Sequence, residues 1–208
     1  MIFVDSISSN SIELISKNLF FEGLTTNPTI LKKNGISFEK ALQTLSEVRG
    51  THFVQISLRD ERYLNYLVEN PFYSNKIIIK IPWVPLKISK FVKKLREKEY
   101  KICATAVYNF NQIISALTLD VDYIAFYYSR MLKSGYKKEY VKDLLTIFPY
   151  PEKFLVASLK TTEDINEVIK MGYKNITIDE ELALEFFEMN FPNNDLEKFE
   201  NDFEEELN

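Results

Sequence analysis

The sequence predicts an α/β fold, a single closed barrel of parallel strands with helices outside it. Three observations carry this. Eight short runs rich in β-branched and aromatic residues alternate with eight amphipathic stretches of helical period. Regular alternation of that kind demands parallel strands joined by helical crossovers. The chain has 208 residues, 46% of them hydrophobic and 27% charged, which is enough for one sizeable core and sits near the lower limit for eight β–α units. An open, doubly wound sheet is the alternative architecture.

The elements follow in order. The run IFVD at 2–5 is the first strand, and SIELISKNL follows as its helix. FEGLTT at 21–26 precedes the helical pattern SFEKALQTLSEV. HFVQIS at 52–57 leads to a weaker helix, DERYLNYLVE at 60–69, and KIIIKIP at 76–82 leads to LKISKFVKKLREK. YKICATAV at 100–107 precedes FNQIISALTL, and YIAFYY at 123–128 precedes KEYVKDLLTIF. KFLVAS at 153–158 with TEDINEVIKM, then NITI at 175–178 with EELALEFFEM, complete the set. Several of these helices open near a serine, threonine, aspartate or asparagine able to cap a first turn. No linker or low-complexity run divides the chain, so one domain over 1–208 is expected.

Composition excludes several function classes. The net charge of −4 offers no surface for wrapping nucleic acid. One cysteine, Cys103, and one histidine, His52, are too few for a structural zinc site or an internal disulfide, and both read as structural. No metal and no cofactor are expected. No apolar run approaches the roughly 20 residues of a membrane span, and MIFVDS lacks a basic leader, so a cytoplasmic protein is expected. No GxGxxG follows the first strand and no P-loop occurs.

In such a barrel, chemistry collects at the carboxyl ends of the strands. Those ends carry Asp5, then Thr25 with Asn27, then Gln55, Lys80, Thr105, Tyr127 with Arg130, and Ser158. Together they describe a small wet pocket for an oxygen-rich, sugar-sized ligand. Lys80 interrupts Ile77, Ile78, Ile79 and Ile81 in a strand buried on both faces. It either snorkels to water or acts as a nucleophilic amine, whose free-base form desolvation favours. Asp5 either caps the helix that follows or handles protons and hydroxyls. Arg130 with Ser158 suits a phosphate monoester.

The blocks FVDS, GLTTNPTI, KIIIKIP, TAVYNFNQIISAL, DYIAFYYSR and FLVASLKT, in this order, resemble the transaldolase family and, within it, the small branch of fructose-6-phosphate aldolases. The resemblance spans residues 1 to about 178. It implies a (β/α)8 TIM barrel and a metal-independent class I mechanism in which Lys80 forms a Schiff base. Tyr127 would be the acid/base, Gln55 and Thr105 would orient a catalytic water, and Asp5 would assist proton transfer. Thr25 and Asn27 would bind the dihydroxyacetone part, with Arg130, Ser158 and Lys160 at the phosphate. Transaldolases of this family carry glutamate and phenylalanine where this chain has Gln55 and Tyr127. The resemblance thus implies cleavage and formation of fructose 6-phosphate, from or to dihydroxyacetone and glyceraldehyde 3-phosphate, or of a close relative. Transfer of a dihydroxyacetone unit between sugar phosphates is the alternative, and a non-catalytic sugar-phosphate-binding barrel is the second alternative. The chain departs from the family pattern at WVPLKISK after KIP, at MLKSG after Arg130 and at Asp179, which replaces a proline.

The charge is uneven. The last fifteen residues hold seven acids and one lysine, so the remaining 193 carry +2 against a whole-chain −4. Within this tail Leu196, Phe199, Phe203 and Leu207 recur at helical spacing, predicting an additional C-terminal helix over about 194–208. It either closes over its own domain or docks on a neighbouring copy. Small members of the family form rings, which implies a homo-oligomer such as a pentamer or decamer, with no nucleic-acid or membrane partner.

Overall fold

In the computed structural model, residues 1–187 and 193–206 are described. Eight parallel strands form one sheet: β1 Ile2–Val4, β2 Phe21–Leu24, β3 His52–Gln55, β4 Ile77–Pro82, β5 Ile102–Val107, β6 Tyr123–Tyr127, β7 Phe154–Ala157 and β8 Asn175–Ile178. Their order, β2-β1-β8-β7-β6-β5-β4-β3, places the two ends of the sheet beside each other. A parallel bridge between Thr25 and Phe53 joins them, so the barrel closes. Each predicted strand is present, shorter by one or two residues except β8.

Helices alternate with the strands: α1 Ser9–Lys17, α2 Pro28–Lys33, α3 Phe38–Glu47, α4 Arg62–Glu69, α5 Ser89–Arg96, α6 Phe110–Thr118, α7 Tyr128–Lys133, α8 Lys138–Ile147, α9 Thr162–Lys170, α10 Glu180–Phe187 and α11 Asn193–Glu206. Caps explain several starts. Ser8, Ser37, Asn109 and Thr161 each accept a hydrogen bond from a first-turn backbone N–H, which satisfies a donor that has no partner inside the helix. Two six-residue helices, α2 and α7, have no counterpart in the periodicity analysis, because one and a half turns cannot display a period.

The core has two parts. Between strands and helices lies a shell of aliphatic and aromatic side chains, including Val4, Val54, Ile79, Ile81 and Val156. Inside the barrel, Phe3, Phe53, Ile78, Cys103, Ala125 and Leu155 form a plug, with Phe3 edge-on to Phe53 at 5.1 Å between ring centroids. Successive residues of a strand face opposite sides, so the residue two further along points into the barrel again, one layer nearer its mouth. Two positions beyond each plug residue stand Asp5, Gln55, Lys80, Thr105, Tyr127 and Ala157. One pleat period therefore converts a dry plug into a polar layer.

The seam between β2 and β3 has its own chemistry. Gly23 and Gly50 allow it: a Cβ on Gly23 would stand 1.8 Å from the Thr51 carbonyl oxygen, and one on Gly50 would stand 2.1 Å from that of Glu22. His52 occupies the seam, fully buried, where Leu24 N–H donates to its Nδ1 at 3.1 Å. Its Nε2 lies 3.4 Å from the Val48 carbonyl oxygen, so the neutral tautomer protonated at Nε2 satisfies both contacts. Burial pushes the imidazole from its ordinary 6.5 down to about 4. The structural role expected for His52 is the one observed.

Above the barrel mouth, the β1–α1 segment is tied to α10. The Glu180 carboxylate accepts hydrogen bonds from Ser8 at 2.6 Å, from Ser6 at 3.4 Å and from Ser11. Among the described residues no helix is long and apolar enough to cross a membrane. The C-terminal helix is α11. Phe199 and Phe203 on it are 61% and 67% exposed, while Leu207 lies outside the described residues.

Candidate active site

Lys80 leaves β4 inside the polar layer and is only 4% exposed. Its Nζ donates to the Thr26 carbonyl oxygen at 2.9 Å. The snorkelling alternative does not hold, since the side chain stays within the barrel. An amine that uses one N–H for this bond keeps its lone pair for a ligand once it is the free base.

A cavity of about 170 Å³ opens over Lys80, lined also by Asp5, Asn27, Tyr127, Arg130, Ser158, Lys160 and Thr177. Asp5 does not cap α1; that position belongs to Ser8. Instead, Asp5 Oδ1 accepts from Thr25 Oγ1 at 2.7 Å. Thr25 Oγ1 is also 2.7 Å from Thr177 Oγ1. Thr25 has one hydroxyl proton and gives it to the carboxylate, so Thr177 is the donor in the second bond. Thr25 thereby holds Asp5 from behind, without lining the cavity itself.

Asn27 serves two ends at once. Its Oδ1 accepts from Thr29 N and Ile30 N at 3.0 and 3.1 Å and caps α2. That leaves its Nδ2 donors for a ligand hydroxyl or carbonyl. On the opposite side, the Tyr127 hydroxyl lies 3.2 Å from Thr105 Oγ1. The ring is fixed on two sides, by Tyr108 edge-on at 5.6 Å and by the Arg130 guanidinium 4.7 Å above its centroid.

At the far end the cavity becomes cationic. Arg130 and Lys133 come from α7, and Lys160 follows β7. Ser158 adopts φ 65°, the left-handed region that costs a non-glycine residue of order 1 kcal/mol, and its side chain reaches the cavity wall. Asp164 of α9 ties the two contributing segments together. It accepts from Ser129 Oγ at 3.2 Å and from Lys160 N–H at 2.8 Å. Asp179 lies 3.6 Å from the Lys160 Nζ.

Gln55 stands in register with Lys80 but lines a neighbouring cavity of about 590 Å³, with Ser57, Asp60 and Tyr63. The structure therefore brings seven of the ten candidates onto one cavity and sets Thr25 and Thr105 one hydrogen bond behind it. Thr177, Ser129 and Lys133 were not singled out from the sequence. Thr177 could have been found from its inward phase on β8, and Lys133 from its three-residue spacing after Arg130.

The departure after KIP is anchored rather than loose. Trp83 is buried and donates from Nε1 to Ser115 Oγ at 2.7 Å, while the Gln112 side chain donates to the Trp83 carbonyl oxygen at 2.8 Å. Beyond it Leu86 is 99% exposed.

A closed parallel barrel with a sequestered lysine, a carboxylate and a phenol around one cavity at the carboxyl ends of its strands defines a TIM-barrel enzyme. Comparison with known proteins makes this specific. Residues 58–208 match the family described as transaldolase/fructose-6-phosphate aldolase, and the chain belongs to that family. It is 27% identical to a "Probable fructose-6-phosphate aldolase" of Streptococcus pneumoniae, over 98% of this chain and 94% of the relative. It is 28% identical to a "Probable transaldolase" of Petrotoga mobilis, over 97% and 94%, and 21% identical to a "Probable transaldolase" of Streptococcus pyogenes, over 97% and 96%.

Proposed function

We propose that the protein is a class I aldolase that cleaves and forms fructose 6-phosphate or a close relative through a Schiff base on Lys80. The observation that carries this reading is the sharing of one cavity by Lys80, Asp5 and the Tyr127 hydroxyl. The free amine of Lys80 attacks the ketone carbon at C2, and Asp5 moves the protons that let water leave as the imine forms. Tyr127 takes the proton of the C4 hydroxyl, and the C3–C4 bond breaks. Its electron pair passes into the iminium as an enamine, and glyceraldehyde 3-phosphate departs. Protonation at C3 and addition of water then release dihydroxyacetone and restore the amine. Asn27 binds the hydroxyls of the three-carbon unit through Nδ2, and Arg130, Ser158 and Lys160 receive the phosphate. Thr105, hydrogen-bonded to Tyr127, orients the water from behind, together with Gln55, which stands in register beside Lys80 and reaches the water from the neighbouring cavity.

Charge supports the direction in which the ketose lies. The end near Asp5 and Asn27 offers no cation besides the reacting lysine, whereas the end near α7 offers three. A phosphate therefore belongs on the aldehyde half. Incubation with fructose 6-phosphate and borohydride is expected to leave a reduced adduct on Lys80, located by peptide mass mapping. An unmodified Lys80 peptide under conditions that trap a known class I aldolase would overturn the reading.

Transfer to an acceptor aldose is the second reading, favoured by the relatives named as transaldolases. Dihydroxyacetone released without acceptor supports the aldolase. Release that appears only as transfer to erythrose 4-phosphate would establish the other. The exposed Phe199 and Phe203 of α11 support docking of this helix on a second copy in a homo-oligomeric ring. Light scattering of the full chain against a variant ending at residue 192 tests that assembly.

A further inference from the structure

Resting on this aldolase reading, we infer that Lys133 is a specificity-determining residue, supplying with Arg130 the second of two positive charges that select a dianionic phosphate on the aldehyde half of the substrate.

The argument begins from α7. It starts directly after β6, so its residues stand at the barrel mouth, and Arg130 and Lys133, three apart, share one of its faces. Both line the cavity that contains Lys80. The third cation there, Lys160, has Asp179 within 3.6 Å, which offsets part of its charge. Among the described residues no carboxylate lies within 4.0 Å of Arg130 or of Lys133. Seven of the 26 lysines and arginines, Lys160 among them, have such a partner, so what sets Arg130 and Lys133 apart is that both line the cavity over Lys80 with their charge not offset. Arg130 and Lys133 therefore face the cavity beside Ser158, the partly offset Lys160, and Ser129, whose hydroxyl donates to Asp164.

The division of labour follows from geometry. The Arg130 guanidinium carbon lies 4.7 Å over the Tyr127 ring centroid, so its position is set by the proposed acid/base residue, and a guanidinium offers its donors as a rigid planar fork. A phosphate monoester carries close to two negative charges at neutral pH. One planar cation satisfies one side of it. The flexible ammonium of Lys133, one helical turn away, reaches the remaining oxygens as a point charge.

The test is steady-state kinetics in the bond-forming direction, with dihydroxyacetone and either glyceraldehyde 3-phosphate or unphosphorylated glyceraldehyde. Lys133→Met is expected to raise the ratio of KM for the phosphorylated aldehyde to KM for glyceraldehyde by about five- to tenfold. Lys133→Arg is expected to restore most of the loss. A Lys133→Met enzyme with the parent's ratio of the two KM values would overturn the inference. Calorimetric titration with inorganic phosphate provides an arm that needs no turnover: the parent is expected to bind it and Lys133→Met to bind it at least fivefold more weakly, and equal affinities would overturn the assignment. The two readings fail separately. Borohydride trapping at Lys80 is independent of Lys133, so a trapped adduct with no Lys133 effect refutes this inference alone, and absent trapping refutes the aldolase reading and leaves the phosphate titration to decide whether Lys133 holds an anion in this cavity.

Discussion

Thr105 Oγ1 and the Tyr127 hydroxyl lie 3.2 Å apart, on neighbouring strands of the polar layer. The ring of Tyr127 is held at the same time by Tyr108 and Arg130, so its hydroxyl has little freedom to move. An acid/base group that is positioned before substrate arrives loses no time or entropy in finding its geometry.

Under the proposed mechanism, Tyr127→Phe removes the proton carrier and leaves the amine intact. Release of dihydroxyacetone from fructose 6-phosphate is expected to fall by about 10²–10³-fold, while borohydride trapping with dihydroxyacetone at Lys80 persists. Thr105→Val, which removes only the neighbouring hydroxyl, should cost less, about tenfold in kcat. A coupled assay for glyceraldehyde 3-phosphate measures both.

The placement of charge within the cavity predicts substrate orientation. A second phosphate at C1 would lie beside Asp5, where the wall offers Asn27 and Thr177 and, among the described residues, no cation besides Lys80. Fructose 1,6-bisphosphate is therefore expected to turn over with a kcat/KM at least about a hundredfold below that of fructose 6-phosphate. Asp5→Asn should narrow that gap even as it slows both reactions, which competition kinetics would reveal.

His52 gives stability a distinct pH dependence. Its imidazole is neutral in the folded seam, with Lys76 and Arg49 nearby, and its folded pKa of about 4 lies below the ordinary 6.5. The unfolded chain thus binds the proton first as pH falls, so stability is full above pH 6.5 and declines through the window down to about 4. The loss amounts to about 3 kcal/mol. Urea midpoints at pH 7.5 and 4.5 should differ by most of that amount more in the parent than in His52→Gln. Because the chain has a single histidine, the parent's imidazole resonance can be followed in the same window.

Gly23→Ala is expected to destabilise the barrel by about 3 kcal/mol or more, because the added Cβ would meet the backbone of Thr51, which no rotamer change can relieve. Gly35→Ala is the control. Among the described residues nothing lies within 4 Å of its Cβ position, and its φ of +64° limits the effect to backbone strain of about 1 kcal/mol. Thermal unfolding of both variants measures the contrast.

The barrel was legible in the residues because each strand is an apolar run too short for a helix, and the phase of each run already points its last polar residue inward. Lys80 was legible for the same reason: a charge inside Ile77–Ile81 conflicts with burial on both faces. Asp5 was open between cap and cavity, and Ser8 decides it by capping α1 instead. Less could be read at the strand-to-helix corners. Helices α2 and α7 are shorter than a period can reveal, and α7 carries Arg130 and Lys133. The left-handed turn at Ser158 has no glycine to mark it, and the role of His52 depends on Leu24, which is 28 residues away. The neighbouring cavity beside Gln55 likewise depends on how α3 and α4 approach β3, which no local pattern specifies.

The Lys80 amine is hydrogen-bonded to Thr26, and Thr26 lies beyond β2, on the far side of the seam from β4. This nitrogen is thus tethered across the junction of the barrel that has an isolated bridge instead of a strand ladder, supported by the hydrogen bonds of Thr26 N–H to the Phe53 carbonyl oxygen and Thr51 N–H to that of Glu22, and by His52. Whatever loosens that junction releases the tether first, while the other seven strand contacts still stand. On warming, turnover should fade before the fold itself melts, and the gap between those two temperatures is a direct gauge of how tightly the ring is fastened.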